Sequence, residues 1–134
     1  MYIEKYWDNY IGSTDDSLTL LEYLAGKEKE EISLGEIFSD TGMDKLNGEF
    51  QEAEGLCVPV DGFEAEIYYS IVLLTDLAAL MLECKMSGSV NLSELMDEDS
   101  KDACNICITA TLEEHTLMNK TLMDFVAVAG AFFF

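Results

Sequence analysis

Leu56-Cys-Val-Pro-Val-Asp-Gly-Phe-Glu-Ala-Glu-Ile-Tyr68, followed at once by the apolar run Tyr69 to Lys85, decides the class of fold. Asp61-Gly62 is a preferred two-residue turn, because glycine reaches positive φ without steric cost. The arm after it alternates, which sends Phe63, Ala65 and Ile67 to one face and Glu64, Glu66 and Tyr68 to the other. Pro59 lacks the N–H a ladder needs, so either the arm before the turn is an edge strand or Pro59 points away from the pairing. Past Tyr68 the period changes from two to that of a helix. This helix, over about Tyr69–Lys85, is apolar nearly all round. Its one narrow polar seam is Tyr69, Asp76 and Glu83, seven residues apart and so on one face. A helix with so little polar surface belongs at the centre of a core.

Toward the N-terminus the signals are helical. Residues 3–11 read as a short helix closed by Gly12. Ser13-Thr-Asp-Asp16 supplies a hydroxyl cap and then acids where the helix dipole favours them. The following helix, Asp15–Ala25, aims Leu18, Leu21 and Leu24 inward and stops at Gly26. Lys27-Glu-Lys-Glu-Glu31 is a charged connector. Ser33-Leu-Gly-Glu36 fits a capping box for a short helix over 34–39, ended by Thr41-Gly42. Residues 43–55 read mostly as loop.

Toward the C-terminus, Ser87-Gly88 ends the central helix, and Asn91-Leu-Ser-Glu94 caps another short one. Asp97 to Asp102 is a charged loop. Ile106, Ile108, Ala110 and Leu112 alternate as a third strand. His115–Val128 is a final helix with Leu117, Leu122 and Phe125 inward. The tail from Phe125 to Phe134 reads as docked on the domain or on a neighbour. The expected fold is α+β: a helix-rich single domain over 1–134, with a small antiparallel sheet of about three strands packed against a buried central helix.

The charge narrows function. Of 134 residues, 27 are Asp or Glu, seven are Lys and none is Arg, giving a formal net charge of -20. Such a chain repels phosphate, so nucleic acid and anionic membrane are excluded as partners of the monomer. With 49% apolar residues and many aromatics, the composition is that of a packed domain, not a disordered acidic chain. The acids sit in caps, connectors and outward strand positions, so they form a surface field. A field of this size exceeds what solubility requires and points to a basic partner.

Motifs for chemistry are sparse. Cys104-Asn-Ile-Cys107 matches a redox spacing, but it lies in a strand pattern and not at a helix N-terminus. Cys57, Cys84, Cys104 and Cys107 therefore read as free buried thiols in a reducing cytoplasm. His115 has no accompanying nucleophile motif. The stretch from Asp97 lacks the Gly and Glu that a calcium loop needs at its sixth and twelfth positions. Asp76 is the one ionisable group in a costly position; buried, it must find donors or shift its pKa upward. No signal peptide or membrane span is legible, and no enzyme activity, cofactor or metal site is expected.

Two stretches carry a resemblance: Tyr6-Trp-Asp-Asn-Tyr-Ile-Gly-Ser-Thr-Asp-Asp-Ser-Leu18, and Ile71 to Gly88 with Val90-Asn-Leu92. Together they resemble immunity proteins of contact-dependent growth inhibition (CDI) systems, particularly those that neutralise ribonuclease toxins. The resemblance implies a cytoplasmic antitoxin that blocks the active site of the basic toxin nuclease domain of a CDI delivery protein. Exposure and clustering nominate Asp15, Asp16, Glu28, Glu30, Glu31, Glu52, Glu54, Asp97, Glu98 and Asp99 as toxin contacts. Tyr10, Tyr23 and Phe50 are the candidate aromatic anchors. Two rival readings also fit an acidic chain without catalytic motifs. They are a type III secretion-type chaperone and a nucleic-acid mimic that inhibits a DNA-binding enzyme.

Overall fold

A computed structural model describes residues 3, 6–7, 11–46, 56–60, 62–96 and 104–133, with backbone alone at 45–46 and 125–133. The element order is α1 (Asp15–Gly26), β1 (Glu31–Ser33), α2 (Leu34–Thr41), β2 (Leu56–Val60), β3 (Phe63–Ile67), α3 (Ser70–Ser87), β4 (Val90–Asn91), α4 (Leu92–Leu95), β5 (Asn105–Thr109) and α5 (Leu112–Phe133). A 3-10 turn at Met43–Leu46 opens the stretch expected to be loop. The fold is α+β, as the alternation of patterns requires.

Helix α3 is the centre. It packs against α1, α5, β4 and β5, and buries Leu73, Leu74, Leu77, Leu80 and Cys84. Neighbours on several sides explain why its sequence is apolar nearly all round. Gly88 ends it with φ 88, donating its N–H to the Cys84 carbonyl. The hairpin forms in the expected register, Leu56 opposite Ile67 and Val60 opposite Phe63, with Gly62 at φ 82 in the turn. Ile67 is buried and Ala65 half-buried, but Phe63 stands 78% exposed, beyond the reach of the core.

The single antiparallel sheet is corrected. Strands β2 and β3 form a two-stranded sheet of their own, so Pro59 does sit on an edge strand. The second sheet is mixed, in the order β1-β5-β4, with β1 parallel and β4 antiparallel to β5. Its strand β1 falls on the end of the charged connector, where only Ile32 is buried between exposed Glu31 and Ser33. A three-residue strand with one apolar residue has no period to read. Leu112 does not end a strand; it opens α5 and is exposed.

The helix starts follow their caps. Thr14 Oγ1 accepts from Ser17 N at 3.1 Å, Ser33 Oγ accepts from Glu36 N at 3.1 Å, and Asn91 Oδ1 accepts from Ser93 N at 3.1 Å. Thr111 and Glu114 form a reciprocal capping box for α5, with Thr111 N to Glu114 Oε1 at 2.8 Å and Glu114 N to Thr111 Oγ1 at 3.2 Å. That box starts the helix three residues before His115. Two details differ in α1. Gly26 is still helical, and the positive φ falls on Glu28 at 53°. Leu18 is exposed, while Ser17, Leu20, Leu21, Tyr23 and Leu24 form the buried face. Among the described side chains of α5, Met118 and Thr121 are buried, Leu122 is half-buried and Leu117 is exposed. The α5 backbone continues through Phe133; the side chains of the apolar tail, Phe125 included, lie outside the described residues.

The N-terminal segment is pinned to the core by buried Ile3 and Trp7. Gly12, at φ 76, lies flat under the Trp7 indole; a Cβ there would sit 2.3 Å from ring carbons, so only glycine fits. Of the helix expected over 3–11, Ile3, Tyr6, Trp7 and Ile11 are described. Trp7 N bonds Ile3 O at 2.9 Å, and Trp7 and Ile11 form an isolated bridge. Among the described residues no helix is long and apolar enough to cross a membrane.

Candidate functional site

Among the described residues, the acids nominated as contacts do not form one patch. Asp15 is exposed in the first turn of α1, whereas Glu28, Glu30 and Glu31 are exposed after its other end, roughly 18 Å away along the helix axis. Tyr10, Phe50, Glu52, Glu54, Asp97, Glu98 and Asp99 lie outside the described residues.

Asp16 and Tyr23 are corrected: both face inward. Asp16 is 3% exposed. Its Oδ1 accepts from Tyr68 N at 2.9 Å, and its Oδ2 accepts from Tyr69 N at 2.8 Å. One carboxylate thus fastens the two-residue junction between β3 and α3 to the first turn of α1. Tyr23 is buried, and its hydroxyl donates to Asp40. Burial pushes the Tyr23 phenol far above its ordinary pKa, and the Asp40 carboxylate adds to that. Lys27 Nζ reaches Asp40 at 2.9 Å and Glu36 at 3.1 Å, Lys29 Nζ reaches Glu36 at 2.8 Å, and Lys27 lies 5.8 Å from the centre of the Tyr23 ring. Bonds to Lys29 and Lys27 hold the Glu36 carboxyl below its usual range. Two of the few lysines are therefore spent on local acids at the α1–α2 junction.

The polar seam of α3 is also internal. Asp76 and Glu83 are buried, while Tyr69, which caps α3, is 63% exposed. Ser17 Oγ and the Gly12 N–H donate to Asp76. Glu83 Oε1 accepts from Ile3 N at 2.8 Å, and its other oxygen accepts from Ser87 Oγ. The two acids are docking points for the N-terminal segment. Burial pushes the Asp76 pKa up to about 6, against the hydrogen bonds that pull it down and with the nearby Asp16 charge adding to the rise.

The sign of that shift gives a test. The native carboxyl holds its proton to higher pH than the unfolded one, so its contribution to stability is complete below about pH 4 and is lost as pH rises through about 6. Asp76→Asn removes the titration. Relative to the parent, it is expected to gain on the order of 2 kcal/mol on going from about pH 4 to about pH 7.5. Urea unfolding at both pH values measures this, and an equal difference at both would contradict it.

None of the four cysteines is in a disulfide: Cys84 is buried, Cys104 and Cys107 half-buried, and Cys57 exposed, contrary to its expected burial. Cys107 lies within strand β5, as the strand pattern implied. Burial pushes the Cys84 thiol up, further from the reactive thiolate. His115 is exposed on α5 and lines a groove of about 410 Å³ with Lys85, Cys107 and Met118. Among the described residues no three His, Cys, Asp or Glu side chains are grouped to hold a metal ion.

Tyr68, expected to point outward, and Tyr69, on the expected polar seam, are exposed features that sequence reasoning did not nominate as contacts. They are 50% and 63% exposed, adjacent, and line a cavity of about 340 Å³ together with Thr14, Asp15 and Asp16. The chain thus offers an acidic, aromatic-bearing exterior on a tightly tied core, an arrangement suited to binding another protein. No curated protein and no solved structure matches it. A family model described as Immunity protein 68 matches residues 2–133, nearly the whole length. The chain belongs to the Immunity protein 68 family, whose members' role is to neutralise a toxin.

Proposed function

We propose that this chain is the cytoplasmic antitoxin of a CDI ribonuclease toxin domain, which it binds in equal stoichiometry and inhibits at the active site. Membership of the immunity family is the observation that carries the toxin partner. The ribonuclease assignment is supported by the net charge of -20. A ribonuclease must attract RNA phosphate, so its cleft is basic, and an acidic protein competes there on the same electrostatic terms. Charge speeds the encounter, and buried contacts then set the lifetime of the complex. The exposed acids Asp15, Glu28, Glu30 and Glu31 are the proposed described contributors to that field. Glu52, Glu54, Asp97, Glu98 and Asp99 extend the proposal along the chain.

The test is co-expression with the toxin domain encoded beside it. Cells carrying both are expected to grow, and the two proteins to purify together. Growth arrest with no complex would overturn the proposal. Rescue without protection of RNA would keep the antitoxin and remove the ribonuclease.

A further inference from the structure

We propose that Tyr68, Tyr69 and Asp15 form a docking pocket for an arginine side chain of the partner protein, with Asp16 as the residue that positions it. The proposal rests on the toxin-binding reading for the partner's identity, but its chemistry stands on the pocket.

The geometry is preorganised. Between the end of β3 at Ile67 and the start of α3 at Ser70 there are only Tyr68 and Tyr69. Both of their backbone N–H groups are held by the same buried carboxylate, at 2.9 and 2.8 Å. The backbone under the two rings therefore has little freedom left to lose on binding. Yet the rings themselves are half exposed or more, so they contribute little to this domain's own core. Adjacent aromatic rings held at the surface by a buried clamp are the usual make-up of an interface anchor, because tyrosine offers wide contact at small entropic cost.

The lining chooses the ligand. The lining is Tyr68, Tyr69, Thr14, exposed Asp15 and buried Asp16. No lining residue is cationic. The two carboxylates of the first turn outweigh the partial positive charge of about one half at the helix end, so the local field is negative. Asp16 already spends an oxygen on each tyrosine N–H, which leaves Asp15 to meet the newcomer. A guanidinium fits these terms better than an ammonium. Its flat face stacks on a tyrosine ring while its N–H fork reaches a carboxylate. The chain itself has no Arg, so no side chain of its own supplies that group.

Two experiments test the pocket. In the first, dissociation of the toxin domain is measured for the unaltered chain, for Tyr68→Ala/Tyr69→Ala and for Tyr68→Phe/Tyr69→Phe, with melting curves confirming that each is folded. The alanine pair is expected to weaken affinity roughly 10- to 100-fold, mainly through faster release, while the phenylalanine pair stays within about threefold. An alanine pair that binds like the parent overturns the pocket and leaves the antitoxin reading intact. In the second, the chain alone is titrated with a capped tri-arginine peptide and followed by the tyrosine ring signals in NMR. Shifts concentrated at Tyr68 and Tyr69 support the pocket; shifts spread over the acidic surface, with these rings unmoved, overturn it. The peptide arm decides even if the unaltered chain does not bind the toxin domain, a result that would sink the antitoxin reading alone.

Discussion

Asp16→Ala is expected to lower the unfolding free energy by about 3 kcal/mol, among the largest effects of any single polar substitution in this chain. The substitution removes two charge-assisted bonds at once and leaves the N–H groups of Tyr68 and Tyr69 without their acceptor. Each such bond contributes about 1.5–3 kcal/mol, and water reaching the partly open junction recovers some of the loss. For a domain of this size the melting temperature should fall by roughly 10 °C. Asp16→Asn retains one acceptor oxygen but turns an amide N–H toward the other donor, so it should also destabilise, by less. Urea unfolding of the three proteins measures both steps. An alanine variant within about 0.5 kcal/mol of the parent would mean that the clamp does not hold the β3–α3 junction.

The second large effect is kinetic. Association with the toxin domain should slow by roughly 10- to 100-fold as salt rises from about 20 mM to about 500 mM, while dissociation changes little. A net charge of -20 would steer the proposed basic partner over distances that salt shortens to a few ångströms. Stopped-flow mixing across that salt series gives the slope. A flat association rate would reduce the acidic surface to a solubilising coat.

Much of the fold was legible because its signals are local. Caps at Thr14, Ser33 and Asn91 use side-chain oxygens at fixed spacing from the N–H groups they satisfy, and an Asp-Gly pair in the sequence predicts the two-residue connection between Val60 and Phe63. The capping box of Thr111 and Glu114 was equally legible, and would have started α5 earlier. Partners in the mixed sheet were not, because β1 and β4 are three and two residues long and borrow their order from β5.

The site was read less well, and for a physical reason. Exposure was inferred from residue type, whereas the helix phase decides it. Asp16, Leu20 and Tyr23 lie at i, i+4 and i+7, and Ser17, Leu21 and Leu24 at the same steps, so all six are on the buried face. Taking the phase from Leu18 hid this and made Tyr23 look like an anchor. Tyr68 was placed outward by the strand period and Tyr69 on the polar seam, but nothing local marks them as a clamped pair, because the acid that fixes them is more than fifty residues away. Asp76 was rightly singled out by its cost, but its donors, Ser17 and Gly12, come from a segment that only the tertiary fold brings near.

Titrating the purified toxin domain with this chain, with RNA cleavage as the readout, tests the proposed neutralisation of a ribonuclease most directly. If the proposal holds, activity falls linearly and reaches zero at one equivalent, the result of a tight complex that closes the active site. Cleavage that continues undiminished past several equivalents would contradict it.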